Sequence, residues 1–308
     1  MESAGPNTSG FVVSPIYQNV TLKANQASAH YAVDLQNTTA ADQTFKLSTL
    51  DFGSLNDSGG VAFLGSSTSD FSKKYGLAKW MKLDDDTVIV PAGQTVKLGV
   101  TVDNSPSLVG GGHYGAILAT AQTAPGDKAA QARVGVYAVL SSLILLLKEP
   151  SEAPGMAVVL QAHDGSWLAM PISVTDRFKN TGTVHVIPRG LVEVKDPRGK
   201  VVERGPLNVD SGIILPTASR TYQTQLMTLA GARVPGRYTI TATYRIGNAA
   251  KSSTYVTTFF YLGPWGLTVG LALVVLALLI VIEWRFGLVR KSGLMQRLPR
   301  PRLRRRRA

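Results

Sequence analysis

The stretch TVKLGVTVDN, residues 95–104, carries an apolar side chain at every second position. These positions are Val96, Leu98, Val100 and Val102. A period of two is typical of a β-strand that buries one face and exposes the other. The same period occurs in three further series: Tyr31, Val33 and Leu35; Leu168, Met170, Ile172 and Val174; and Tyr238, Ile240, Ala242, Tyr244 and Ile246. We therefore predict an all-β fold.

Turn sequences separate these strands and divide the chain into two parts. PAGQ at 91–94 and DPRG at 196–199 combine proline with glycine as tight turns do. KEPSEAPG at 148–155 interrupts the apolar pattern with two prolines and small polar residues. Short strands without a long amphipathic helix favour two tandem Ig-like antiparallel β-sandwich domains. The predicted segments are a disordered N-terminus at 1–10, a first sandwich at 11–150 and a second at 155–262.

One segment is apolar enough to enter a membrane. GPWGLTVGLALVVLALLIVIEWRFG, residues 263–287, has no charged residue between Gly263 and Ile282. At about 1.5 Å per helical residue, Trp265 and Trp284 would lie roughly 28 Å apart, close to the thickness of the hydrocarbon core. Tryptophan is enriched at both membrane interfaces. We predict one transmembrane helix at 264–284; a buried core helix, the alternative, would show polar residues recurring on one face.

The positive charge is concentrated behind this segment. The net charge is +12, and nine Arg and one Lys from residue 285 onward supply +10 of it without any acid. Lys and Arg near a membrane helix stay on the cytoplasmic side. We therefore predict a basic cytoplasmic tail at 285–308, with Arg285, Arg290 and Lys291 fixing the topology, and extracytoplasmic domains before the helix. In the alternative, tail-anchored topology, the large part would lie in the cytosol.

An extracytoplasmic location carries two further expectations. Export requires a signal peptide, and the opening MESAGPNTSG has neither a basic nor an apolar region, so we expect the signal peptide to be missing from this sequence. The arginine-rich end resembles a nucleic-acid-binding tail when read alone. Attached to exported domains, it predicts membrane topology and contact with anionic lipid, and no nucleic-acid partner.

Residues with catalytic or metal-binding chemistry are sparse. The chain has no cysteine, and its four histidines lack the spacing that places two ligands on one metal. NDSGG at 56–60 resembles a serine-protease nucleophile motif, but only His30 precedes it, so we interpret it as a turn. Asp84–Asp86 could bind calcium or form an acidic turn, and both interpretations stay open. We predict no enzyme activity, no cofactor and no metal site.

The most unusual stretch is LVGGGHYGAILAT, residues 108–120. Three consecutive glycines at the start of a strand permit unusual backbone angles or the close approach of a second backbone or a ligand. One interpretation is a bulge or a flexible edge loop. The other is a binding edge that displays His113 and Tyr114. The candidate ligand-binding residues are Gly110, Gly111, Gly112, His113 and Tyr114.

The order of these segments resembles the WxL-interacting proteins of Gram-positive bacteria. The matching stretches are FVVSPIY, YAVDLQNTT, residues 80–118, residues 177–202, ILPTASRTYQTQL and VPGRYTITATY, followed by the apolar helix and basic tail. The resemblance implies a cell-surface protein with a first domain associated with peptidoglycan and an Ig-like domain associated with protein binding. The triple glycine is richer than the glycine pair usual in that family. The resemblance brings no catalytic residues.

Two functions are compatible with these features. The first is a membrane-anchored surface protein, with an adhesion or scaffold role, whose Ig-like domains bind cell wall, surface proteins or both. The second is a chaperone-like assembly factor that pairs a strand edge with secreted surface proteins. The partners that we predict are therefore the membrane, peptidoglycan and secreted surface proteins.

Overall fold

The computed structural model describes residues 10–64, 70–122, 138–151, 154–229, 233–247 and 252–286. Over these residues the chain is mostly β, with one long apolar helix near its C-terminal end. The strands are β1 Phe11–Ser14, β2 Tyr17–Leu22, β3 Ser28–Asn37, β4 Gln43–Ser54, β5 Val61–Leu64, β6 Met81–Leu83, β7 Thr87–Val90, β8 Thr95–Asp103, β9 Gly111–Ala121, β10 Val139–Lys148, β11 Met156–His163, β12 Ser173–Asn180, β13 Pro188–Lys195, β14 Val201–Leu207, β15 Ser219–Gln225, β16 Met227–Thr228, β17 Gly236–Ile246 and β18 Ser253–Tyr261. The helices are α1 Asp70–Tyr75 and α2 Gly263–Phe286.

Strands β1 to β10 form two sheets. One has the order β1-β3-β8-β6, and the other β2-β10-β9-β4-β5 with β7 also on β4. β2 runs parallel to β10, with Tyr17 opposite Leu143. The prediction of antiparallel sheets is therefore wrong for this ladder. The reason is that β1 pairs with β3 in one sheet, whereas β2 pairs with β10 in the other. Residues 15 and 16 connect β1 to β2 without a hairpin.

The alternating residues of β8 fill the core between these two sheets. Leu98, Val100 and Val102 are buried, and Val96 packs against the same cluster. The facing sheet contributes Phe45, Leu47, Ile117, Ile144 and Leu146. Fully burying an aliphatic or aromatic side chain of this size contributes about 1.5–3 kcal/mol each. The pattern at residues 95–104 thus predicts both the strand and its buried face.

Strands β11 to β18 form two further sheets. Their orders are β11-β12-β15 and β16-β14-β13-β17-β18. The series beginning at Tyr238 lies in β17 as predicted, and Tyr238, Ile240 and Ala242 are buried with Phe178 and Val192 in a second cluster. The Tyr238 hydroxyl donates to the Val234 carbonyl at 2.8 Å, which satisfies its polar end inside the core.

The strand predicted around Leu168 to Val174 is shorter than its pattern. Residues 164–172 form a loop, and β12 begins only at Ser173. The Asp164 carboxylate accepts the N–H groups of Ile172 at 2.9 Å and Ser173 at 3.0 Å. Pro171 cannot donate to a strand ladder. Local hydrogen bonds therefore outweigh the alternation of Leu168, Met170 and Ile172.

A buried carboxyl group lies in the second core. Asp176 on β12 is fully buried and accepts a hydrogen bond from the Gln161 amide at 2.7 Å. The Thr257 hydroxyl on β18 donates to the same Gln161 side chain. Burial raises the pKa of Asp176 to about 6 from its ordinary 3.8, and the bond from Gln161 opposes that rise.

Replacing this group is expected to change how stability depends on pH. Because the folded-state pKa of Asp176 is the higher one, the folded protein binds more protons between about pH 4 and pH 6, and stability falls as the pH rises through that window. Asp176→Asn should therefore raise the free energy of unfolding at pH 7.5, by up to about 3 kcal/mol, and change it little at pH 4. Thermal melts at both pH values measure this.

The exposed Asp85→Asn is the matched control, because its carboxyl group already lies in water. It should leave stability unchanged at both pH values. Equal destabilisation by Asp176→Asn at pH 4 and pH 7.5 would show that the Asp176 carboxylate carries no burial penalty.

The predicted transmembrane segment at 264–284 lies within α2. Residues Gly263–Arg285 are long and apolar enough to cross a membrane, and none of the apolar stretch is buried against the rest of the protein. Trp265 and Trp284 lie near its two ends and are exposed, and Arg285 is in its last turn. Arg290 and Lys291, with the rest of the basic tail, and residues 1–9 lie outside the described residues.

Candidate functional site

The triple glycine does not form an edge. β9, which begins at Gly111, lies between β10 and β4 in the middle of its sheet. His113 is 2 % exposed and Tyr114 is 0 % exposed. The expectation that a binding edge displays these two side chains is therefore wrong. A ligand-binding role for Gly110–Tyr114 stays a prediction.

The glycines instead leave room for the backbone of another segment of the chain to approach closely. The N–H of Gly112 donates to the carbonyl of Thr183 at 3.0 Å, so the loop before β13 lies directly against the start of β9. A Cβ on Gly112 would lie 3.2 Å from that carbonyl and would clash with the Tyr114 hydroxyl. Gly111 has a φ of +127°, which side-chain-bearing residues rarely adopt. The motif thus joins the half of the chain that carries β1 to β10 to the half that carries β11 to β18.

A hydrophobic cluster continues this contact, and we call it the interface cluster. Its buried members are Phe52, Tyr75, Tyr114, Ala116, Leu145 and Leu215. Tyr114 lies at its centre, with its hydroxyl 3.5 Å from Nδ1 of His185. Burial lowers the pKa of His185 to about 4, so its imidazole is neutral at pH 7. The two halves therefore meet through an apolar contact.

One ion pair borders the interface cluster. Asp57, in the NDSGG turn, lies 2.6 Å from the Arg177 guanidinium on β12, and its carbonyl accepts the N–H of Thr221 at 2.7 Å. The Ser58 hydroxyl donates to the Asn56 side chain within the same turn. The interpretation of NDSGG as a turn is confirmed, and its carboxylate links the two halves of the chain.

A cleft opens beside the interface cluster, and we call it the interface cleft. Its volume is about 230 Å³. Apolar side chains from both halves line it, among them Tyr17, Phe52, Leu143, Leu145, Ile213 and Leu215. Arg220 supplies a positive charge at its wall, held by a bond to the Ile213 carbonyl at 3.1 Å. The cleft can hold an apolar side chain and a polar or anionic group beside it.

The outer edge of β2 adjoins the interface cleft through Tyr17. The carbonyls of Ile16 and Leu22 accept the N–H groups of Leu143 and Glu149, at 2.8 Å and 3.0 Å, on the side of β10. Because backbone groups alternate sides along a strand, those of the odd-numbered residues 17, 19 and 21 point to the other side. In the described part of the chain, β2 pairs with β10 alone.

Exposed apolar residues flank this edge. Ile16 is 69 % exposed and Tyr17 is 45 % exposed. Unpaired N–H and C=O groups beside apolar side chains can accept a further strand. What the arrangement offers chemically is main-chain hydrogen bonding along β2 and burial of an apolar side chain in the interface cleft.

Metal ligands do not converge in the described segments. No group of three or more His, Asp or Glu side chains there could hold a metal ion. Asp84–Asp86 form the exposed turn between β6 and β7. The acidic-turn interpretation of these residues fits this arrangement.

Sequence reasoning missed the residues that build this site. Tyr17, Asp57, His185 and Arg220 come from four separate turns and strands. Only Asp57 stands in a recognisable motif, NDSGG, and we interpret that motif as a turn and not as a binding site. One signal was present: SSLILLLK at 141–148 is apolar at odd and even positions alike, which is typical of a strand covered on both faces. Leu143 and Leu145 indeed pack on the interface cluster, and Ile144 and Leu146 on the first core.

Comparisons with known proteins show similarity in structure alone. No family model matches the chain, and no curated protein matches it. The class 5 fimbriae chaperone CfaA is 13 % identical with a TM-score of 0.43 over 80 % of this chain and 98 % of that chain. A chain in a structure of the chaperone-tip adhesin complex of CFA/I fimbriae is 11 % identical with a TM-score of 0.44, over 81 % of this chain and 98 % of that chain. A chain in the complex of the Salmonella enterica SafA pilin with the SafB chaperone is 11 % identical with a TM-score of 0.39, over 83 % of this chain and 100 % of that chain.

Proposed function

We propose that this chain is a membrane-anchored extracytoplasmic protein that binds exported surface proteins by pairing one of their strands with the outer edge of β2. Its two halves, residues 11–150 and 155–262, act as tandem Ig-like β-sandwiches in this proposal. α2 is the anchor, and the basic tail beyond Arg285 keeps the C-terminus in the cytoplasm. The binding role is that of an assembly factor for such partners.

The open edge of β2 is the observation that carries this proposal. A partner strand beside β2 would meet the outward-pointing N–H and C=O groups of Tyr17, Asn19 and Thr21. An apolar side chain of the same partner could enter the interface cleft next to Tyr17. Main-chain pairing supplies affinity in such complexes, and side-chain pockets supply specificity. Partners would therefore share an extended apolar segment.

The location rests on α2 and on the distribution of charge. A helix with exposed apolar side chains along its whole length is costly in water and stable in a bilayer. Ten positive charges follow within residues 285–308. Their retention on the cytoplasmic side would place both sandwiches, and the β2 edge, outside.

Replacing Asn19 with proline is expected to abolish partner binding. Proline lacks the N–H that a partner strand would use, and at this position it removes no bond to β10 because the N–H of residue 19 points outward. Asn19→Ala keeps the N–H and is the matched control. The measurement is the recovery of exported proteins in stoichiometric amounts with the full-length protein from cross-linked membranes of the producing cell.

Recovery should be lost with Asn19→Pro and retained with Asn19→Ala. Thermal melts show whether the proline variant folds. If it does not, Thr21→Lys blocks the same edge with a charge instead. Equal recovery with all folded variants would rule out the β2 edge as the binding site.

Binding to peptidoglycan, which the resemblance to the WxL-interacting proteins implies, stays a prediction. The absence of enzyme activity and of a nucleic-acid partner are predictions in the same sense.

A further inference from the structure

An exposed apolar loop lies beside the start of α2. The loop of residues 164–172, between β11 and β12, presents Trp167 at 70 % exposure and Ile172 at 71 %, with Leu168 between them also exposed. Phe260, one residue before the end of β18 at Tyr261, is half exposed. We call Trp167, Leu168, Ile172 and Phe260 the apolar tip.

The loop is held in shape by its own hydrogen bonds. The Ser166 hydroxyl accepts the N–H groups of Leu168 at 3.3 Å and Ala169 at 3.1 Å, and the Ser173 hydroxyl donates to Asp164 at 3.1 Å. These bonds fix the backbone while its apolar side chains point outward. A loop free to relax would bury such side chains, because burial of a large apolar side chain contributes about 1.5–3 kcal/mol.

The same loop is bonded to the first residues of the anchor. The Trp167 carbonyl accepts the N–H groups of Leu262 at 2.7 Å and Gly263 at 3.1 Å. A shallow apolar depression, about 660 Å³ in volume, is lined by Trp167, Leu168, Phe260, Leu262 and by Leu267 of α2 itself. The apolar tip is therefore continuous with the helix surface that a bilayer would cover.

Charge at this end of the second half suits lipid headgroups. Gly236 pairs with Tyr261, and Lys195 pairs with Thr239, so the turn between β13 and β14 lies at the end of the sheet from which α2 leaves. Arg198 and Lys200 in that turn are exposed. Cations at the end of the sheet from which α2 leaves can contact headgroup phosphates while the apolar tip lies deeper in the bilayer.

We propose that the apolar tip inserts into the outer leaflet of the bilayer that α2 spans, and so fixes the second half upright on the membrane. This inference rests on the proposed membrane anchoring. Trp and aliphatic side chains of this kind settle at the boundary between headgroups and acyl chains, about 5–10 Å below the surface. The interface cleft lies at the other end of the strands, and the 11 residues of β17 place it about 35 Å from the membrane.

Single-cysteine labelling tests this directly, because the chain has no cysteine of its own. Leu168→Cys, Leu273→Cys in α2 and Val209→Cys are each labelled with a polarity-sensitive fluorophore in the full-length protein. The proteins are reconstituted in phosphatidylcholine vesicles that contain lipids with a quencher near the headgroup or near the chain end. Val209 is the matched control, since it is 73 % exposed, as apolar as Leu168, and lies after β14 at the end of the sheet remote from α2.

Position 168 should lose fluorescence with the headgroup-proximal quencher, position 273 with the chain-end quencher, and position 209 with neither. Quenching at 273 without quenching at 168 would overturn membrane insertion of the apolar tip and leave the anchor in place. Absence of quenching at 273 would overturn the anchor, and the inference with it.

Discussion

Two arginines in the middle of α2 are expected to release the protein from membranes. Leu273 and Leu276 are exposed on the surface of α2 near its centre. An arginine at the centre of a membrane helix costs about 2.5–3.5 kcal/mol, so the double variant Leu273→Arg, Leu276→Arg should lose roughly 5–7 kcal/mol of insertion free energy. That loss is large compared with thermal energy, and insertion should fail.

Extraction of membranes with alkaline carbonate measures the effect. The unaltered protein should remain in the pellet, and the double arginine variant should move to the supernatant. The variant with alanine at both positions should stay in the pellet, because alanine shortens the side chain without adding charge. If the arginine variant also resists extraction, α2 is not the anchor.

Truncation of Tyr114 is expected to be among the most destabilising substitutions in the chain. Its ring is fully buried and lies within 6.1 Å of the rings of Phe52, Phe71 and His185. Tyr114→Ala opens a cavity between the two halves and should lower the free energy of unfolding by about 3–5 kcal/mol. Chemical denaturation of the full-length protein in detergent measures this loss.

Tyr17→Ala provides the comparison. Its ring is nearly half exposed at the interface cleft, so its removal should cost less than about 1 kcal/mol. Similar losses for both variants would mean that the contact between the halves contributes little to stability. A loss with Tyr114→Ala that splits the unfolding curve into two transitions would instead show that the halves unfold separately once this ring is gone.

The secondary structure could largely be predicted because it depends on local periodicity. The alternation at Val96–Val102 is long, regular and free of proline, and it becomes β8. The apolar run after Gly263 becomes α2, with bounds within two residues of those expected. The series from Leu168 to Ile172 has the same alternation, yet Asp164 and Ser166 bond its backbone locally and Pro171 interrupts it. Where side chains hydrogen-bond to nearby backbone groups in place of a neighbouring strand, the alternation of apolar residues predicts a strand poorly.

The candidate site could not be predicted because it depends on strand order. Nothing in residues 17–22 shows that they run parallel to residues 143–148, or that no further described strand covers their outer side. Three glycines indicate that something approaches closely. They do not show that Thr183 does so, and thus that His113 and Tyr114 become buried. Strand order and the contacts between the two halves of the chain follow from long-range packing, which a single sequence does not display.

Amide hydrogen exchange of the full-length protein, alone and bound to a co-purified partner, tests strand pairing at β2 most directly. The proposal expects slower exchange on binding at the outward N–H groups of Tyr17, Asn19 and Thr21. The N–H of Leu143, already bonded to the Ile16 carbonyl, should change little. Unchanged exchange at residues 17, 19 and 21, with protection confined to other strands, would contradict it.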